Sequence, residues 1–388
     1  MKIKYMVLPL GLLALGGLFF SPGESPSRSA PTHVYVYSKK RVNKKIPPVN
    51  EVLVQGHHEG IERSLHQYLS DSKIDSQPIQ PGTAAYREKV PRVAAFLQKF
   101  PGALDEAGAL ILSHHLHLYT KWMLLEAIGS YTPSSEAHAL LRRLASNPSL
   151  GEDVLITLIS VFGLAVDIPE DSIDYLKERS REPDRLGRVA LSTMGRVAGV
   201  IRKRDPASAS RIVSILSGRL RDQERLGKSN EVASILEALG NTGDRHLVAR
   251  IWPFLEHSNS RVRGAALVTL GSLDKNGSEA RLRFALQQDP DPRVRMEAIE
   301  ALMPVPNGVP DEQVANAGRM SEGTLSDLLS VVRSDENERV RLEVMDAFHE
   351  IYETPPSRVT ETLRTIAQTD SSSHVREMAG WYLEYGYF

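Results

Sequence analysis

Arg261-Val262-Arg263-Gly264-Ala265-Ala266, Arg293-Val294-Arg295-Met296-Glu297-Ala298, Arg339-Val340-Arg341-Leu342-Glu343-Val344 and His374-Val375-Arg376-Glu377-Met378-Ala379 are four versions of one phrase. Their valines stand 32, 46 and 35 residues apart. A helix-sized pattern returning at such a period belongs to a stacked helical array, because one repeat cannot bury its apolar face alone. Such arrays present long surfaces to partners and seldom carry chemistry of their own.

Working outward, the Val-Arg phrase fades toward the N-terminus, but a glycine nine residues after the valine position carries the register back. Gly129, Gly163, Gly195, Gly240 and Gly271 are 34, 32, 45 and 31 residues apart. Positions four and eight residues past each valine position share one helix face. The first column reads Leu124, Leu158, Ala190, Ile235, Ala266, Ala298, Val344, Ala379. The second reads Ile128, Phe162, Met194, Leu239, Leu270, Leu302, Phe348, Leu383. Every one of these residues is apolar in a chain that is 41% hydrophobic, so the two columns are the expected core.

The intervening stretches supply a first helix for each unit: Ser134 to Ala145, His246 to Leu255 and Glu279 to Leu286 show apolar spacing of three or four. Asp291-Pro292 reads as N-cap and first helical residue, where the missing proline N–H costs nothing. The pair Asp167 and Pro169-Glu170-Asp171 reads as another helix start, its acids favoured by the helix dipole.

This phrase, and the Asp-x-x-Val-Arg-type motif in Asp289 to Arg295, resembles the HEAT-repeat family in its short bacterial form. The resemblance implies an all-α chain, an α-solenoid of about eight HEAT-like helical hairpins over 84–388, with second helices lining the concave face. It also implies that Arg263, Arg295, Arg341 and Arg376 form a structural ladder bonding across neighbouring repeats, in preference to an anion-binding row. Two segments, Trp122 to Gly129 and Leu236 to Asp244, resemble the helical domain of vitellogenin-type lipid transfer proteins, although no long β-rich segments follow to line a lipid cavity. That resemblance implies lipid or lipoprotein binding as an alternative.

Lys2 and Lys4 precede an apolar run from Tyr5 to Phe20, too short for an ordinary membrane span and right for a signal peptide. Residues 1–23 are therefore expected to be a signal peptide or uncleaved anchor, which makes the protein exported, periplasmic or extracellular. Residues 24–83 are expected to be irregular. Within them His33 to Tyr37 alternates like one strand, and Lys39, Lys40, Arg41, Lys44 and Lys45 follow without an acid, so membrane association through this segment is open. Export makes nucleic acid the weakest partner class. With no cysteine there is no disulfide, thiolate nucleophile or cysteine metal site.

The formal charge of -1 hides an asymmetry. Residues 178–228 hold thirteen basic residues against six acids, residues 289–388 nine against nineteen, and no lysine follows Lys275. Arg188, Arg196, Arg202 and Arg204 in the basic middle are the expected partner-binding residues for a protein or peptide. Pro304 to Gly323, where the repeat lengthens, is an expected loop.

His58, Glu62 and His66 are spaced like metal ligands on one helix face, but Gly56 and Gly60 weaken that helix and no second zincin histidine follows. His114, His115 and His117 read as helix packing with a polar margin. No phosphate loop, nucleophile elbow or dinucleotide fingerprint occurs, so neither an enzyme nor a cofactor is expected. The C-terminal Trp381 to Phe388 is expected to fold over the end of the stack as a cap.

Overall fold

In the computed structural model the described residues are 64–385, apart from 75–78, 101, 132–134, 166, 304–319 and 353. They are helical, and none of them is in a strand. The signal-peptide run, the strand at 33–37, the basic arm, His58, Glu62 and most of the 304–323 insertion lie outside them. The chain divides into two compact units, 1–212 and 213–388.

The first unit holds α1 (Leu65–Asp71), α2 (Ala84–Lys99), α3 (Ala103–Leu112), α4 (Leu118–Tyr131), α5 (Ser135–Ala145), α6 (Glu152–Val161), α7 (Glu170–Arg179) and α8 (Arg185–Ile201). The unit border falls inside α9 (Pro206–Arg225). The second unit continues with α10 (Ser229–Asn241), α11 (Val248–Ile251), α12 (Ser260–Gln288), α13 (Pro292–Leu302), α14 (Glu322–Ser334), α15 (Glu338–Ile351), α16 (Ser357–Thr369) and α17 (Ser373–Tyr385). Within each unit the second helices form one layer: α2, α4, α6 and α8 pack in sequence, as do α10, α12, α13, α15 and α17.

The two apolar columns are this layer's core. All eight residues of the first column are fully buried, and seven of the second are at most 1% exposed. Leu383, in the last helix, is half-exposed because no further helix follows it among the described residues. The helices start three residues before the valine position: Asn259, Asp291 and Asn337 accept from the backbone N–H of Arg261, Arg293 and Arg339 at 2.9–3.0 Å.

The glycine column marks where neighbouring second helices approach most closely. A Cβ on Gly129 would stand 2.7 Å from Val161 Cβ, and one on Gly271 would stand 2.8 Å from the Ala301 carbonyl oxygen. In each case the residue met lies seven after the next valine position, so one register rule describes both junctions. At the last junction the same two places hold His349 and Tyr382, whose rings lie 5.1 Å apart.

Two expectations need correction. The stretch through residue 83 includes α1, whose Leu65 and Leu69 are fully buried and whose Tyr68 stacks on Phe96 of α2 at 4.5 Å. The helix pair α1–α2 therefore repeats the unit upstream of residue 120, with Tyr86 in the valine register and Val90 and Ala94 as its buried columns. Its phrase has Tyr86 where the others have valine, while Arg87 keeps the arginine place. The first helix expected from His246 to Leu255 is broken into 3₁₀ turns at 245–247 and 252–256 around α11, since Pro253 cannot donate into a regular α-helix. Within α12 the second helix of one unit and the first of the next meet at a kink at Asp274, with φ −158° and ψ 74°, so the first helix expected from Glu279 to Leu286 is in place.

Candidate functional site

In the second unit, residues six places after the valine position look out from the second-helix layer, and those three places after it do so in α13 and α15. The acids there are Glu297 and Glu343 three places after it, and Glu237, Glu300 and Asp346 six places after it. Glu297 leans across its neighbour's helix: a Cβ on Gly264 would come within 3.1 Å of Glu297 Cγ. A side chain at 264 would crowd that crossing, which carries the Glu297 carboxyl toward Glu237.

Crowding of like charges has an electrostatic consequence. Burial first, then the charges of Glu300, Glu237 and Glu343, push the Glu297 carboxyl up to about 8. Glu343 is raised to about 7 by burial, Asp346 and Glu300, and Glu300 is raised by burial. Among the described residues no lysine, arginine or histidine forms an ion pair with Glu297, Glu300 or Glu343. The row ends where the Tyr382 hydroxyl donates to Asp346 and Trp381, 37% exposed, takes the register of Glu300 and Asp346. In the first unit that register holds Glu126, pushed up to about 7 by burial.

The arginines that might have neutralised this row are committed elsewhere. Arg341 donates through Nε and Nη2 to both oxygens of Asp370 at 2.9 and 2.8 Å and through Nη1 to the Asp335 carbonyl. Arg295 repeats this with Asp335, both bonds at 2.8 Å, and with the Asp289 carbonyl. Arg263 does so with Asp289 and the His257 carbonyl. Each aspartate thus receives the preceding repeat's guanidinium on its side chain and gives its carbonyl to its own repeat's arginine. With Arg341 and Asp370 only 6% and 5% exposed, the series is the ladder between repeats and offers nothing to an external anion. Arg376 closes it on the Asp370 and Ser371 carbonyls.

The four arginines expected to bind a partner lie on α8 and just past its end. Arg188 and Arg196 are half-buried on α8, and Arg196 packs beside Gly163 with Nη2 bonded to Thr193 Oγ1 at 3.1 Å. Burial lowers its guanidinium to about 10. Arg202 and Arg204 follow the end of α8, and Arg204 lies 3.8 Å from Asp167. The His114, His115 and His117 side chains do not pack between helices. All three are exposed on the loop before α4, where His117 Nδ1 accepts the Tyr119 N–H at 3.2 Å. His66 is exposed on α1, and no group of three or more His, Asp or Glu among the described residues is arranged to hold a metal ion. No described helix is long and apolar enough to cross a membrane.

The acidic row was within reach of the sequence. The excess of acids after residue 289 was plain, and Glu297/Glu300 and Glu343/Asp346 repeat at the same offsets from Val294 and Val340. Their convergence with Glu237 depends on the close packing at Gly264.

Solved structures are similar in part. The complex of CpcE and CpcF of phycocyanin lyase from Nostoc sp. PCC7120 matches with 18% identity and a TM-score of 0.36, over 63% of this chain and 94% of that chain. A structure on lipid-protein interactions in lipovitellin matches with 15% identity and a TM-score of 0.46, over 93% of this chain and 36% of that one. No curated protein matches the sequence. The family described as HEAT repeats matches residues 230–303, the stretch of α10 to α13 that carries the start of the arginine ladder together with Glu237, Glu297 and Glu300.

Proposed function

We propose that this chain is an exported, non-catalytic HEAT-repeat scaffold that binds a protein or peptide partner. The observation that supports it is the outward register of the second unit, where Glu297, Glu300 and Glu343 stand together without an internal cation while the ladder arginines are saturated. Charges that serve only the fold are paired or widely separated, because unpaired like charges destabilise it. A row kept at that cost is what a binding surface requires.

Export rests on the apolar run 5–20 behind two lysines. Arg188, Arg196, Arg202 and Arg204 remain a second surface for an acidic part of the partner. The test is native purification of the full chain from its own cells with mass spectrometry of its N-terminus and of everything bound. A stoichiometric protein partner and a cleaved N-terminus support the proposal. Bound lipid with no protein would replace it with the lipid-carrier alternative, and an intact cytoplasmic chain would remove the export reading.

A further inference from the structure

The carboxylate row does more than mark a surface, because its spacing and its end residue select a kind of partner. Glu237, Glu297, Glu300, Glu343 and Asp346 come from three second helices of one layer, with the small residues Gly264 and Ala265 between α10 and α13. A further observation at the same face is Ser234. It holds in α10 the register that Glu297 and Glu343 hold in α13 and α15, one turn before Glu237. The residue is 4% exposed, and its hydroxyl has no hydrogen-bond partner in the protein. Its hydroxyl is enclosed, a polar group left unsatisfied one turn from Glu237. At the other end stands the Trp381 indole, whose exposed ring can receive a cation.

A divalent metal does not fit, since these carboxylates are not arranged as a metal-binding group. An acidic or phosphorylated ligand is repelled. What fits is a chain that brings positive charges at intervals. Neighbouring second helices pack roughly 8–10 Å apart, and an extended peptide advances roughly 3.3 Å per residue, so one basic side chain in every three residues keeps step with α13, α15 and α17.

We propose that the outward face of α10, α12, α13 and α15 binds an extended cationic segment of a partner protein, with lysine or arginine at every third residue placed against Glu297, Glu300 and Glu343 and one over Trp381. This rests on the scaffold reading and names the partner's chemistry. Binding is proton-linked. Part of the row is protonated near neutral pH, a cation favours the ionised carboxylates, and the segment therefore displaces protons and binds more tightly as pH rises from 6 to 8. The titratable groups facing the row are its own five acids, Tyr382 and, beside Asp346, His349, whose ring burial holds below the usual histidine range.

The test uses the full chain and two lysine–glycine–serine dodecapeptides of identical composition, one with lysine at every third position and one with its lysines contiguous. Affinity is measured by calorimetry at low salt, at pH 6 and 8 and in buffers of different ionisation enthalpy. The spaced peptide should bind about tenfold more tightly at pH 8 than at pH 6, with proton release. The double variant E297Q/E343Q should weaken it about tenfold and flatten the pH dependence. Carboxamides remove repulsion without changing shape, so this variant keeps its circular dichroism spectrum. Equal binding of the contiguous peptide, or unchanged affinity of E297Q/E343Q, would overturn the proposal. If neither peptide binds while a copurified protein partner stays bound to E297Q/E343Q, the cationic assignment fails and the scaffold reading stands.

Discussion

Replacing Arg341 by methionine removes the guanidinium but keeps most of the buried aliphatic stem. Both partners are almost completely buried, so the change leaves the Asp370 carboxylate enclosed with one remaining bond, from the Ser372 N–H at 2.8 Å. Breaking one side of such a pair costs about 3–5 kcal/mol, because the stranded charge has lost its counterion and cannot regain water. For a unit the size of 213–388 this corresponds to a fall in Tm on the order of 10 °C. Thermal and urea unfolding followed by circular dichroism measure it, with the last repeat, α16–α17, expected to loosen first because neighbour contacts carry stability in an array. The double variant R341M/D370N should be more stable than R341M alone, since the amide removes the stranded charge while still accepting from Ser372. R341M within about 1 kcal/mol of the parent, or a double variant less stable than R341M, would refute the ladder as the junction's main polar tie.

Gly271→Ala places a methyl 2.8 Å from the Ala301 carbonyl oxygen and should cost about 1–3 kcal/mol in the same unfolding assay, whereas Gly380→Ala meets nothing within 4 Å and should be neutral or stabilising by about 0.5–1 kcal/mol. Glu297 and Glu343 have folded pKa values above their unfolded ones, so folding takes up protons: stability should rise as pH falls from about 8 toward the unfolded value of 4.5. E297Q should flatten that slope in urea titrations at pH 5, 6.5 and 8, and a slope unchanged by the substitution would contradict the crowding. Tyr382→Phe deletes the hydroxyl bond to Asp346 beneath the end of the row and should cost about 1–3 kcal/mol. Unchanged melting would show that ring packing alone anchors α17.

How much of this was legible in the chain varies with distance along it. The columns from Leu124 to Ala379 and from Ile128 to Phe348 could be read because a helix repeats its face every three to four residues, whatever it later packs against. The Val-Arg phrase made the ladder expected but not its acceptors, since Asp289, Asp335 and Asp370 lie 26, 40 and 29 residues after their arginines. The α1–α2 pair went unread because Tyr86 replaces the signature valine, and the break near Trp252 because its apolar spacing outweighed Pro253. For the site, the run of positive charge around Arg188 to Arg204 is the denser signal in the chain, while the acids of the last third show there only as an excess of charge.

The sequence by itself determined the helical repeat, its period and its buried columns, because burial of a helix face is encoded in local spacing. Only the tertiary structure decided which side chains meet across repeats: that Glu297 passes over Gly264 toward Glu237, that Arg341 is saturated by Asp370, and that Trp381 ends the acidic row. Those juxtapositions depend on how far one helix slides against the next, and that is set by the close contacts at the glycines and by the forked arginine bonds.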